Sequence, residues 1–476
     1  MQKITFFGRV LTLFVATLML LLHSGTAQAQ TPQAIWTAGD STLTFINSAT
    51  QYVADNNNKF NEQTITNVWS GTDVTASGTS VPAWNGTVKA TLTKVVFDSS
   101  FSYVLPTSLS SWFASCSKLT AIVGISNLNT SEVTNMKFMF YGCRALTSLD
   151  LLNFDTRKVT DMGSMFYDCR ALTTLDVSKF DTSNVTNMGY MFMACIALTS
   201  LDLSNFDTSN VTNMYSMFMG CKSLTSLDVS SFDTSSVTDM RDMFGGCQSL
   251  TSLDVSNFDT SSVTKMDYMF MGCKSLTSLD VSSFDTSSVT DMRDMFEGCQ
   301  SLTSLDVSNF DTSKVTYMYA MFKGCSALTS LDLSNFDTSE VTSMKNMFLD
   351  CSSLTSLDVS NFNTSTVAYM DAMFKGCSNL TTIFCNNKWT PAISSANMFA
   401  GCTSLVGGAG TVFNVENPVV DATYAHPDEG TANPGYFTLP PTPQAIWTAD
   451  NATLTFINGP QYAAGDTFNG RTVTAV

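Results

Sequence analysis

A cysteine returns every 26 residues from Cys143 to Cys377, each time closing the phrase Met-Phe-x-x-Cys. A fixed period of this size marks a repeat array, whose units cannot bury an apolar face alone and must cover it with the next unit. The period outweighs the length. A chain of 476 residues would otherwise point to several domains, whereas a solenoid of any length is one quasi-linear body. Function must then be sought on a repeated surface.

One clean unit runs from Leu224 to Ser249. Leu224, Leu227, Val229 and Phe232 give the spacing L-x-x-L-x-V-x-x-F, and the period of two around Leu227 and Val229 predicts one short strand. Val237, Met240, Met243, Phe244 and Cys247 fall at steps of three and four, which predicts a short α or 3₁₀ helix. Asp233-Thr234-Ser235 stands where N-capping residues belong, and Gly246 where a helix stops. The expected fold is an α/β solenoid of about 12 coils, each a short strand plus a short helix. With strands about 4.8 Å apart the body would be roughly 55–60 Å long. The segments Lys222–Phe244 and Lys274–Phe296 are identical and two coils apart, which reads as duplication of coil pairs.

The flanks divide the chain further. Residues 1–29 read as a secretory signal: Lys3 and Arg9, the apolar stretch Val10 to Leu22, and the A-x-A site Ala27-Gln28-Ala29. Residues 30–115 form an expected β-rich N-terminal cap, with Ser41 to Ile46 and Thr87 to Phe97 alternating as strands do. The repeat solenoid spans 116–406. Residues 407–441 read as a C-terminal cap and linker, with Pro-containing turns and Pro440-Pro441. At 442–476 the sequence of the first cap returns in part: Thr442 to Ala449 repeats Thr31 to Ala38, and Thr453 to Asn458 repeats Thr42 to Asn47.

Only 13% of residues are charged and the net charge is −17. Loss of the signal would leave 21 basic against 40 acidic residues. That balance argues against nucleic acid, whose phosphates need Lys and Arg, and against anionic membrane surfaces. No membrane insertion is expected after the signal is removed. Of thirteen cysteines, all but Cys385 occupy one position of the repeat, with no C-x-x-C pair. Parallel columns point their side chains the same way, so the expectation is free, buried thiols packed as small apolar groups.

One acidic column stands out: Asp150, Asp176, Asp202, Asp228, Asp254, Asp280, Asp306, Asp332 and Asp358. Each lies between inward apolar residues and should point outward. Neighbours about 4.8 Å apart would repel by roughly 0.9 kcal/mol per pair in water. The column either binds divalent cations, for which oxygen ligands suit Ca²⁺, or is a solvated acidic face among Ser and Thr hydroxyls. With Ser226 and Ser230 and their equivalents it forms the candidate binding face. A second column, Asp155 through Asp337 with Asn363 in the ninth place, fits helix capping, since Asn caps as well as Asp. The Met and Phe stripe is expected in the core. No cofactor and no catalytic set are expected. His426, the one histidine after the signal, sits in a Pro-flanked loop where solvent exposure is expected.

The unit L-T-S-L-D-V-S-x-F-D-T-S-x-V-T-x-M-x-x-M-F-x-G-C resembles the 26-residue repeat of BspA-like leucine-rich-repeat bacterial surface proteins. Val95 to Asp98 with Trp112-Phe113, and Pro434 to Thr438, resemble the segments that flank such arrays. The resemblance implies a leucine-rich-repeat-like, right-handed stack, secreted or at the cell surface. It also implies adhesion to host extracellular matrix or cell-surface proteins, and no enzyme. The alternative reading is a structural spacer that presents other modules and has no ligand of its own.

Overall fold

The computed structural model describes residues 29–75, 81–448, 453–459, 467–468 and 471–474. The expected export signal lies outside the described residues apart from Ala29. The array is a stack of coils linked one to the next by parallel bridges. A single ladder passes from Ser108 through Asn135, Asp161 and their equivalents to Tyr369 and Ser394, one residue per unit.

The helix expected in each coil is absent. In its place lie successive tight turns. In the unit around Phe244, the N–H of Met243 donates to the carbonyl of Met240, that of Gly245 to Asp242, and that of Cys247 to Phe244. The φ angles of Asp242 and Gly246 are 55° and 72°, as the third position of a type II turn requires. The intervening N–H groups leave the coil: Met240, Asp242, Phe244 and Gly246 donate to Lys265, Asp267, Met269 and Met271 of the next coil. Alternate amides thus close turns and join coils, so the segment leaves no orphan donors. The turns that join Met240 to Met243 and Phe244 to Cys247 set buried side chains three apart, which gives the apolar spacing of a helix without one.

The expected strand is also reduced. Only β8 (Ser356–Asp358) and β9 (Thr382–Phe384) pair as strands within the array, in parallel. Elsewhere the segment is bridged in several coils by a single long bond, as from the Thr251 N–H to the Thr225 carbonyl at 3.4 Å. A turn beginning at Asp228 bends the chain directly after Leu227, so the extended stretch in each coil is short.

The core is continuous. Val237, Met240, Met243, Phe244, Cys247 and Leu250 are wholly buried, as are their equivalents along the stack. The Phe rings form one column, with Phe244 and Phe270 5.8 Å apart and nearly parallel at 7°. All thirteen cysteines are free and buried. The Cys247 thiol donates to the Phe218 carbonyl of the preceding coil at 3.3 Å, and the same contact recurs from Cys143 to Cys402. Burial pushes these thiols up, Cys273 to about 12, so they stay protonated and unreactive at neutral pH. A buried Thr joins the coils on the other side of the ring: Thr234 Oγ1 donates to the Asp259 carbonyl at 2.8 Å.

The N-terminal cap holds an antiparallel pair, β3 (Asp55–Phe60) and β4 (Gln63–Ile65), and is built on a sheet ordered β5-β1-β2-β6-β7: Asn67–Ser70, Thr31–Thr37, Thr42–Ser48, Lys94–Phe97 and Ala121–Val123. β1 pairs antiparallel with β2 and β5, but β2–β6 and β6–β7 are parallel. The sheet therefore changes to the parallel sense of the stack, and β7 belongs to the first coil. The strand expected over Thr87 to Phe97 is shorter. A helix, Ala83–Val88, turns its Trp84 onto the core, where Nε1 donates to the Trp112 carbonyl at 3.0 Å. Phe45, Phe97, Trp112 and Phe113 then close the apolar end of the Phe column.

At the other end β10 (Phe437–Thr438) pairs with β9, and Phe437 and Tyr436 cover Trp389 and Phe399 edge-on. Asp428 ties this cap together by accepting from the N–H groups of Ala409, Thr411, Gly430 and Gly435 and the Thr411 hydroxyl. His426 is buried rather than exposed, with Nδ1 2.8 Å from the Pro427 carbonyl. The returning sequence at the C-terminus forms β11 (Thr442–Thr448) and β12 (Thr453–Gly459), paired in the register of β1 and β2.

Candidate binding surface

The acidic column lies where its spacing placed it. Asp150, Asp176, Asp202, Asp228, Asp254, Asp280, Asp306, Asp332 and Asp358 are all exposed, as are Ser226 and Ser230. Each carboxylate also shapes the backbone. Asp228 Oδ1 accepts from the Ser230 N–H at 2.9 Å, and the other eight accept from the residue two positions on. This is an Asx turn. Hydrogen bonds to Ser230 hold the Asp228 carboxyl below its ordinary range, and Asp176, Asp202, Asp254, Asp280 and Asp306 shift the same way through their serines. Between coils the column opens into shallow grooves. One of about 430 Å³ is lined by Asp254, Asp280 and Asp306 with the side chains of Ser252, Ser278 and Ser304.

The second acidic column makes Asx turns too, and caps no helix. Asp233 Oδ1 accepts from the Ser235 N–H at 3.0 Å, and Asn363 does the same for Ser365 at 3.0 Å. Asn replaces Asp because the turn needs an acceptor rather than a charge. Among the described residues no group of three or more His, Cys, Asp or Glu is arranged to hold a metal ion.

The turn segment presents a surface that the repeat pattern concealed. Its outward positions differ from coil to coil. Tyr141 stacks on Tyr167 at 4.7 Å, and the Arg241 guanidinium lies 4.4 Å over the Tyr215 ring. Tyr268 and Tyr319 hydroxyls meet at 3.3 Å across two coils. Beneath them Asp242, Asp267 and Asp294 are buried. Burial and the neighbouring Asp267 push Asp242 up to about 7; burial and Asp291 push Asp267 to about 6; burial and Glu297 push Asp294 to about 7. The signal for this surface was present in the sequence as the variable positions within otherwise repeated units.

Residues 107–226, 220–305 and 296–409 match a family described as Mycoplasma protein of unknown function, DUF285. These segments cover well over half of the chain. The chain belongs to the DUF285 family. Its DUF285 segments cover the stacked coils and reach only the inner edge of each cap, 107–115 and 407–409. A comparison with curated proteins gives no match. Among solved structures, the chain is similar to a leucine-rich cell surface protein from Faecalibacterium prausnitzii A2-165, at 16% identity over 78% of this chain and 91% of that one, with a TM-score of 0.32. It is also similar to a chain of a TLR13–ssRNA13 complex, at 16% identity over 67% and 42% with a TM-score of 0.24. A third is from a Toll–Spatzle complex of Drosophila, at 14% identity over 62% and 39% with a TM-score of 0.23. With TM-scores this low, the DUF285 solenoid rests on its own coil-to-coil ladder. Among the described residues no helix is long and apolar enough to cross a membrane.

Proposed function

We propose that the chain is an exported, BspA-like surface protein that binds host extracellular matrix or cell-surface proteins through the strand side of its coils, and that it catalyses nothing. The observation that carries this reading is the exposed column from Asp150 to Asp358, repeated once per coil beside Ser hydroxyls. The turn bonds fix the carboxylates in place, so little side-chain freedom is lost on contact. Weak contacts repeated along a stiff stack sum by multivalency. Export is supported by the signal-like residues 1–29.

A pull-down from extracellular matrix proteins, with and without chelator, tests the reading. Removing residues 222–273, two coils, should weaken capture gradually. Complete loss from that deletion would argue for one discrete site. The spacer reading draws on the identity of Lys222–Phe244 and Lys274–Phe296, which suits a chain selected for length. It gains if the chain captures no protein at all.

A further inference from the structure

We propose that Arg144 and Arg170, aimed by the buried Asp168, form a site on the turn side of the first coils for the carboxylate of a sugar acid. Ser117, Arg144 and Arg170 stand directly after Cys116, Cys143 and Cys169, so three successive coils bring the same place of the repeat into one column. Asp168 lies between the two cations. Arg144 Nε donates to its Oδ2 at 2.6 Å, and Arg170 Nε to its Oδ1 at 2.5 Å. Both bonds use Nε, and both arginine side chains are more than half exposed while the carboxylate is buried. One carboxylate thus fixes two guanidiniums and neutralises one. The pair keeps a net positive charge and leaves its Nη donors, whose planar fork suits an oxyanion, free for a ligand.

The arrangement exceeds what the coil needs. Asp168 has a φ of 60°, in the left-handed place that Gly142, Gly220 and Gly246 fill in other coils. Asp350 takes the same place further along, exposed and with Ser352 where Arg170 would stand, so the turn asks for no arginine. A hollow of about 170 Å³ opens beside the pair, lined by Ser115, Ser117, Tyr141, Gly142, Arg144 and Asp168. It is smaller than the roughly 300–1,000 Å³ of a drug-sized pocket, so it takes one small group. Tyr141 stacks on Tyr167 at 4.7 Å, which closes one face of its ring. The lining is therefore hydroxyl-bearing side chains beside cations, the partners of a ligand that carries hydroxyls beside an acid. Charge narrows the choice further. Basic and acidic residues are equal in number between residues 116 and 181, whereas the whole chain carries −17. A polyanion would be repelled by the rest of the stack, while a single carboxylate on a neutral body meets only the balanced end.

The site shares no residue with the acidic column, so the inference goes beyond the adhesive reading and either can fail alone. Titration calorimetry of the full chain with sodium glucuronate, sodium acetate and glucose tests it. Glucuronate should bind with a Kd on the order of 1 mM, as suits one small, half-exposed contact. Acetate should bind about tenfold more weakly, and glucose should give no signal. Arg144→Gln and Arg170→Gln should each weaken glucuronate about tenfold. Lys222→Gln, at the same place of the repeat two coils beyond Arg170, should leave it unchanged. Asp168→Asn makes the site more positive and keeps a residue that tolerates the left-handed turn. It should nonetheless weaken glucuronate about tenfold, because the guanidiniums lose their aim. Protection of the buried thiols reports that each variant is folded. Silence of glucuronate with the wild-type chain overturns the proposal. So do acetate or glucose binding as tightly as glucuronate, folded arginine variants binding like the wild type, or tighter binding by Asp168→Asn.

Discussion

Thr234 and Asp259 stand one coil apart, and the buried hydroxyl of the first donates to the backbone carbonyl of the second at 2.8 Å. The same contact joins Thr130 to Asp155 and recurs to Thr338 and Asn363. Thr234→Val keeps the shape and removes the donor, so it should lower unfolding free energy by about 1–2 kcal/mol. Thr234→Ser should recover most of that loss. Chemical denaturation of both variants provides the measurement, and an unchanged midpoint in the Val variant would remove the Thr column from the account of stability.

The thiols should be silent in the folded chain. Each lies in the core, and burial raises its pKa; Cys116 and Cys402 reach about 12. A chromogenic thiol reagent should leave the native protein unlabelled and react with all thirteen cysteines in concentrated guanidinium. Rapid stoichiometric labelling without denaturant would contradict the core placement.

Stability should fall as pH rises toward neutrality. Asp242 and Asp294 hold their protons to about 7 and Asp267 to about 6, against an ordinary value of 3.8. Between 3.8 and those values the folded chain keeps protons that the unfolded chain has released. The stabilisation from these groups is therefore complete below about pH 4 and lost as pH climbs through 6 to 7. Thermal midpoints should drop from pH 5 to pH 8, and the combined Asp242→Asn, Asp267→Asn, Asp294→Asn variant should show a flatter profile. An equally steep profile in that variant would refute the assignment.

The C-terminal cap should respond in the opposite direction. Burial works to raise the Asp428 carboxyl, but hydrogen bonds from Thr411, Gly430 and Gly435 outweigh it and hold it at about 2. Its contribution is present above about pH 4 and fades as pH falls toward 2. Asp428→Ala removes five hydrogen bonds and should cost about 3 kcal/mol locally. Hydrogen exchange should then quicken across 407–438 while the central coils keep their protection.

An Asx turn needs an acceptor and no charge. Asp228→Asn should leave the denaturation midpoint unchanged, whereas Asp228→Ala should lower it by releasing the Ser230 N–H. Equal effects from the two substitutions would mean that the carboxylate acts through its charge.

The sequence reveals the core of this fold more fully than its backbone. Leu224, Val237, Met240, Phe244 and Cys247 repeat at fixed places, and each is wholly buried. Periodicity says which residues turn inward, and burial rewards that choice whatever the hydrogen bonding. It cannot say which carbonyl a given amide finds. Overlapping four-residue turns and a helix both set apolar groups three and four apart, so the segment from Val237 to Cys247 reads as helical. The Asp-x-Ser spacing at Asp228 and Ser230 is the local mark of the Asx turn, and it is overshadowed by the regular column of charge. The turn-side aromatics escape notice for the reverse reason: Tyr215, Arg241 and Tyr268 break the pattern instead of making it.

Because each coil holds chiefly to its two neighbours, tension on the ends of the array does not load every contact at once. The outermost coil peels first, its Thr, thiol and alternate amide bonds giving way together, and the next coil then becomes the outermost. Each release pays out 26 residues, roughly 90 Å of slack. A stack built this way lengthens under load in steps of one coil rather than all at once.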